Sequence, residues 1–290
     1  MTILYFTLIL FLGAIFAGML GSLTGLGGGV VIIPLLTLGF GVDIKYAVGT
    51  ALVTSIATSS GAAAAYIKEG MTNVRIGMFL EIATTLGAVI GALLAVFLPA
   101  SAVYIIFGIV LIFSGIMTIR KKNESPYLGK PSKTASLLKL NSTYPTREGI
   151  KNYNVKNVAG GFSLMTFAGI LSGILGIGSG SMKVLAMDTA MKIPFKVSTT
   201  TSNFMVGVTA AASAVIYFQR GQIEPVLAMP IVVGVLIGAF LGSKILMKIN
   251  VSLLRKIFCF VIIILAIQMI YRGFEPSLVH WFPSVKFPKL

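Results

Sequence analysis

Side chains that carry chemistry are scarce in this chain. Its 290 residues include one cysteine, Cys259, one histidine, His280, and eight carboxylates. A lone cysteine excludes an intrachain disulfide. One histidine and one cysteine leave almost no material for a clustered metal site or a Cys/His nucleophile pair. No metal and no cofactor are therefore expected, and an enzyme is not expected. Charged residues make up only 11%, less than half of the roughly 25% usual in soluble domains. The glycine-rich stretch GSLTGLGGGVVIIP (21–34) has no Gly-Lys-Ser/Thr after it, which speaks against a P-loop and ATP-driven pumping.

What the chain has in abundance is apolar sequence, 56% of it. Runs near the roughly 20 residues needed to cross a bilayer recur at Ala47–Ile67, Ile76–Leu98, Ala102–Ile119, Ser198–Phe218, Val226–Leu246 and Leu253–Ile270. The chain reads as an all-α, multi-pass protein of the cytoplasmic (cell) membrane. The first run, Ile3–Leu20, has no Lys or Arg before it and glycines where a cleavage site would stand, so it is expected to be a retained helix rather than a signal peptide. The net charge of +15 does not make a nucleic-acid surface, because nine of the 23 basic residues fall between Arg120 and Lys156. That polar stretch separates two apolar halves, and the positive-inside rule puts it in the cytoplasm. The expected division is a first repeat over 1–119, a basic linker over 120–156, a second repeat over 157–271 and a tail over 272–290.

Shifting the chain along itself by 151 residues aligns the halves without a gap. Phe16–Leu20 meets Phe167–Leu171, Gly25–Gly29 meets Gly176–Gly180, Thr50 meets Thr201, Tyr66 meets Tyr217, and Gly87–Gly91 meets Gly238–Gly242. About 17 of the 76 positions from Phe16 to Gly91 are identical. Chance similarity of apolar helices would not keep glycines in register. With the linker inside, the matching turns 68–75 and 219–226 fall on opposite sides, so the repeats are expected to be inverted, a common design of secondary transporters. Each repeat then has a leading segment, Ile3–Phe40 or Val158–Met191, followed by three spanning helices. The glycines leave a short piece of about a dozen residues, roughly 18 Å, too short to cross a core of about 30 Å. A broken helix and a re-entrant hairpin both fit.

Bare backbone at membrane depth is tolerated only where it is buried in protein or lines a polar cavity. A helix starting after such a break directs unpaired N–H groups and a positive dipole end at the gap, and glycine permits close approach of an anion. The first-half donors would come from Gly27, Gly28, Gly29 and Val30, and the second-half donors from Gly178, Ser179, Gly180 and Ser181. Packing through small residues is the competing reading. Lys183 lies just past the second break where the first repeat has Ile32. An intramembrane lysine is a functional candidate by default, with Asp188 expected to hold it when the site is empty. Thr50, Thr201, Ser202 and Asn203 could donate to an anion, or bond between helices instead. Glu81, opposite Val232 in the repeat, is a candidate for coupling, as is Asp188; an interfacial carboxylate is the plainer reading of Glu81.

The glycine break after a first apolar segment, the AVGT start of the next span (47–50) and the return of the pattern after a basic loop resemble the sulfite exporter family of the TauE/SafE type. The resemblance covers roughly residues 8–271. It implies a secondary transporter for a small sulfur-containing anion such as sulfite, sulfoacetate or a related organosulfonate; H+ and Na+ are the candidate coupling ions. It also implies a site over Gly25–Gly29, Thr50, Gly176–Gly180 and Thr201–Asn203, to which Ser179, Ser181 and Lys183 are departures from the usual second motif. The alternatives are an anion channel, a membrane-embedded enzyme and a structural scaffold. Oligomeric state, direction and coupling ion are not legible.

Overall fold

The computed structural model describes residues 3–24, 27–119, 126–146, 149–246 and 251–274. Gly25, Lys248 and the tail, including His280, Lys286 and Lys289, lie outside them. Helices appear at every expected apolar run: α1 (Ile3–Thr24), α2 (Gly29–Pro34), α3 (Ile44–Lys68), α4 (Val74–Leu94) and α5 (Ala100–Ile119), then a short α6 (Lys133–Leu137) in the linker. The second half supplies α7 (Val158–Leu175), α8 (Gly180–Leu185), α9 (Phe195–Gln219), α10 (Pro225–Leu246) and α11 (Val251–Phe274). Among the described residues six helices, α1, α3, α4, α7, α9 and α10, are long and apolar enough to cross a membrane, while the apolar parts of α5 and α11 are shorter, at Ala100–Ile116 and Ile262–Phe274.

Helix boundaries follow local chemistry. Asn73 caps α4 by accepting from the Ile76 amide (3.0 Å), and Asn157 caps α7 by accepting from the Gly160 amide (3.2 Å). Gly70 and Gly221, repeat-related, end α3 and α9 with φ of +69° and +65°, a conformation that costs glycine little. α2 and α8 each run on into a single π-helical turn, Leu35–Gly39 and Ala186–Ala190, giving two short helical pieces that start at Gly29 and Gly180.

The short pieces fold back along the helices before them. A Cβ on Gly13 would lie 2.7 Å from a Leu35 methyl, and the Phe6 and Phe40 rings meet edge-on at 4.9 Å. In the second half the Lys156 amide donates to the Met191 carbonyl (3.0 Å). Each leading segment is therefore a helical hairpin whose two ends lie together and whose glycines form the tip. These contacts favour the hairpin of the two arrangements that the sequence left open.

The major helix contacts run between the halves: α1 packs on α10, α4 on α7, α3 on α9, and α5 on α11. Glycines permit the close ones. Gly87 and Gly91 of α4 lie against Thr166 and Ile170 backbone, while their counterparts Gly238 and Gly242 of α10 lie against Ile15 and Met19 backbone. At these positions the small-residue packing reading holds. Met78, Ile82, Leu86, Ile90 and Leu93 form an exposed stripe on α4, and an apolar face on an outer helix suits contact with lipid rather than water. The linker is folded, with an antiparallel hairpin of β1 (Ser142–Thr146) and β2 (Gly149–Tyr153). Tyr153 is buried there and accepts from Asn73 Nδ2 (2.7 Å). Burial pushes its phenol up to about 12, so it stays neutral and ties the linker to the α3–α4 turn.

Candidate functional site

The two hairpin tips meet. A Cβ on Gly29 would lie 3.1 Å from the Gly176 carbonyl and 3.1 Å from Ser55 Oγ, and one on Gly27 would lie 3.5 Å from the Ile177 carbonyl. Side chains at these tips would hold the segments apart, which is the physical reason the motif is glycine. Gly27, Gly176 and Gly178 also have φ of +78°, +68° and +66°. Ser179 adopts the left-handed region at φ +46° despite its side chain. Its carbonyl receives the Met182 and Lys183 amides at 3.0 and 3.1 Å, which leaves the Gly180 and Ser181 amides ahead of the first intrahelical bonds, as expected of a first turn.

α9 stitches both tips in place. Ser202 Oγ donates to the Gly180 carbonyl (3.1 Å), and Asn203 Nδ2 donates to the Ser22 carbonyl at the end of α1 (3.0 Å). Thr201 is spent elsewhere: its hydroxyl accepts from the Asn73 amide at the α3–α4 turn (3.0 Å). Of the polar residues at the start of α9, Ser202 and Asn203 thus reach the tips, and they do so as interhelical ties. Thr50, Ser55 on the same helix α3, and Ser179 are buried with hydroxyls that have no hydrogen-bond partner among the described residues. Ser181 Oγ shares a 2.6 Å hydrogen bond with Ser114 Oγ of α5.

Lys183 is the chemical centre. It is fully buried, with relative exposure of 0%. Its Nζ donates to Thr209 Oγ1 at 2.5 Å, and that hydroxyl donates to Glu81 Oε1 at 2.5 Å. Glu81 Oε1 also accepts from Thr85 Oγ1 (3.1 Å), while Oε2 faces the ammonium at 3.8 Å without a hydrogen bond. The partner of Lys183 is therefore Glu81 from the other half, not Asp188, which stands in the π turn after α8. Glu81 is correspondingly buried rather than interfacial. Among the described residues, one of the three ammonium protons is hydrogen-bonded. Thr209 was missed in the sequence, although it is the 151-residue counterpart of Thr58. That identity was the available signal.

Removing a charge pair from water is expensive, and its mutual attraction offsets the cost only when hydrogen bonds satisfy the remaining polar atoms. Here they do so incompletely, on both the ammonium and Oε2. A cationic centre with unspent donors, next to two converging backbone tips, is chemically suited to an anion.

The chain matches the family model described as sulfite exporter TauE/SafE over residues 10–269. It is 30% identical over 275 residues to the probable membrane transporter protein YunE of Bacillus subtilis (strain 168), covering 92% of this chain and 98% of the relative. It is 28% identical to YdhB of the same organism, over 82% of this chain and 87% of that protein, and 23% identical to YfcA of Escherichia coli (strain K12), over 94% and 93%. Both bear the same description, probable membrane transporter protein. No solved structure gives a significant match. Six span-length apolar helices and a family match across nearly the whole chain place it together: it is a multi-pass membrane protein of the sulfite exporter TauE/SafE family of membrane transporters.

Proposed function

We propose that the protein is a secondary transporter that carries a small sulfur-containing anion, such as sulfite, sulfoacetate or a related organosulfonate, by alternating access between two inverted repeats. The observation that carries this reading is the fully buried Lys183 ammonium beside the meeting glycine tips. In the empty protein Glu81 neutralises it across Thr209. An arriving anion takes the unspent ammonium protons, with the tip amides and the hydroxyls of Ser179 and Ser55 in support. Two anions cannot share one ammonium in a low-dielectric site, where like charges repel strongly. Glu81 therefore accepts a proton as the anion enters, which couples the anion to H+. With a singly charged anion bound, the closed pair and the protonated, anion-loaded site are both neutral, and a neutral core can be re-exposed to either face without burying an unpaired charge. Asp188 lies away from the exchange.

The inverted arrangement is supported by the reciprocal contacts, in which α1 with α10 mirrors α7 with α4. It places the linker inside, one hairpin entering from each side and both termini outside. In intact cells a cysteine replacing Lys286 should label from outside and one replacing Lys133 should not; the reverse pattern overturns the topology.

The function is tested on purified protein by calorimetry and thermal shift against sulfite, sulfate, thiosulfate, taurine and sulfoacetate, with carboxylates as controls. Lys183→Ala is expected to weaken sulfur-anion binding at least tenfold, about 1.4 kcal/mol. Lys183→Arg should restore only part of this, since a planar fork does not replace a compact ammonium. Unchanged affinity in folded Lys183→Ala, or equal binding of carboxylates, would refute the assignment. Flux driven by a pH gradient but not by a Na+ gradient is expected.

A further inference from the structure

A second polar feature lies away from the Lys183 centre, on the face opposite the linker. The start of α3, the end of α9 and the turn before α10 flank a shallow, open cleft with the end of α4 and the start of α5, with an internal space of about 10 Å³. Lys45, Arg220 and Gln222 line it together with Val48 and Ile174. Val48 packs directly on the second glycine tip: a Cβ on Gly176 would lie 2.7 Å from the Val48 carbonyl and 2.7 Å from one of its methyls. Tyr217 closes one wall, its hydroxyl held by the Gly173 and Ile174 carbonyls at 3.1 and 3.2 Å.

The charge at this mouth has one sign. Arg220 donates from Nη1 to the Ala92 carbonyl (2.8 Å), which anchors the side chain at the end of α4. That bond uses one of the guanidinium's five N–H donors. The nearest carboxylate in sequence to Lys45, Asp43, directs Oδ1 to the Lys45 backbone amide (2.8 Å) and does not line the cleft. The opposite face is different. The 151-residue repeat puts Lys196 where Lys45 stands, but Glu69 where Arg220 stands and Met71 where Gln222 stands. Two cations line this cleft, whereas the repeat-related positions in the other half carry one cation and one carboxylate, so the halves differ in charge at these positions. A mouth lined by one sign of charge between low-dielectric walls raises the local concentration of its counter-ion.

We infer that this cleft is a staging site for a small oxyanion, held at its mouth by Lys45 and Arg220 before it passes Val48 and Ile174 toward Lys183. The two cations attract the ion, and the apolar lining keeps it at the mouth until the tip moves. The inference rests on the anion reading of the Lys183 centre for the ion's destination, but the occupancy of the cleft can be tested alone.

The probe is sulfate, and the readout is the labelling rate of the thiol introduced by Gln222→Cys in a Cys259→Ala background, with an anionic methanethiosulfonate reagent. Sulfate is expected to slow labelling at least fivefold relative to chloride at equal ionic strength. Lys45→Gln should remove most of this protection, and Lys45→Gln with Arg220→Gln all of it. Lys45→Gln serves as the control for folding, because Arg220 also supports α4. Equal slowing by chloride, or full protection surviving in the double variant, overturns the staging site. Lys183→Ala should leave protection at position 222 intact. Protection without any sulfur-anion flux in the wild type would therefore refute the central-site reading and spare the cleft.

Discussion

The two hairpin tips share a backbone pattern and differ in what surrounds it. The first tip leads into Ile32, Ile33 and Leu36, all fully buried. Its counterpart of Thr209, Thr58, donates to the Thr54 carbonyl (2.8 Å) and is satisfied within its own helix. The position matching Glu81 is Val232. The second tip has Ser179, Ser181 and Lys183 in place of Gly28, Val30 and Ile32, and its threonine bridges an ammonium to a carboxylate. The same glycine geometry therefore supports a dry tip and a charged one. In our reading the backbone supplies closeness at both, and the charge that selects a ligand resides at one.

The strongest way to break this comparison is to make the second tip resemble the first. Lys183→Ile alone leaves Glu81 buried without its cation and is expected to cost about 3–5 kcal/mol of stability and to abolish flux. Adding Glu81→Val removes the stranded charge, so thermal stability should return close to wild type while flux stays absent. Flux in the double variant, or full stability of the single one, would show that the pair is neither functional nor energetically coupled.

A smaller effect is expected from bulk at the tips. Gly28→Leu would press a side chain on Thr58 Oγ1, which lies 2.8 Å from a Cβ there, and Ser179→Leu would put a larger side chain on a left-handed backbone. Each should lower flux in proteoliposomes at least tenfold in protein that still folds. Normal flux in either would reduce that tip to a packing feature. The smallest effect sharpens the contrast most finely. Thr209→Val removes a hydrogen bond to charged groups, worth about 1.5–3 kcal/mol, and should weaken anion binding by about an order of magnitude. Thr58→Val, tested by the same calorimetry, should change binding less than twofold; equal losses would erase the distinction between the tips.

Much of this was legible before any coordinates. Every apolar run became a helix, because length and hydropathy alone decide what can cross a bilayer. The glycine clusters fell at the hairpin tips, because few other residues tolerate such close approach and positive φ. Lys183 stood out because a lysine there is costly. Its partner did not stand out. Glu81 is 102 residues away in the other half, while Asp188 is five residues away, and proximity in sequence favoured the wrong carboxylate. Thr209 was hidden for a similar reason: its identity with Thr58 was readable, but a threonine in an apolar helix does not show which distant polar groups face it. The polar start of α9 was readable as polar, but not as a set of ties to the tips.

The sequence by itself determined that the chain is a helical membrane protein built twice over, with two glycine-rich breaks and a lysine just past the second, since composition, periodicity and repeat register are properties of a single strand of residues. Only the tertiary structure decided that the short pieces fold back as hairpins, that their tips touch, and that Lys183 pairs across the halves with Glu81 through Thr209. These are contacts between segments far apart in the chain. They depend on how α4, α8 and α9 pack, which no local pattern encodes.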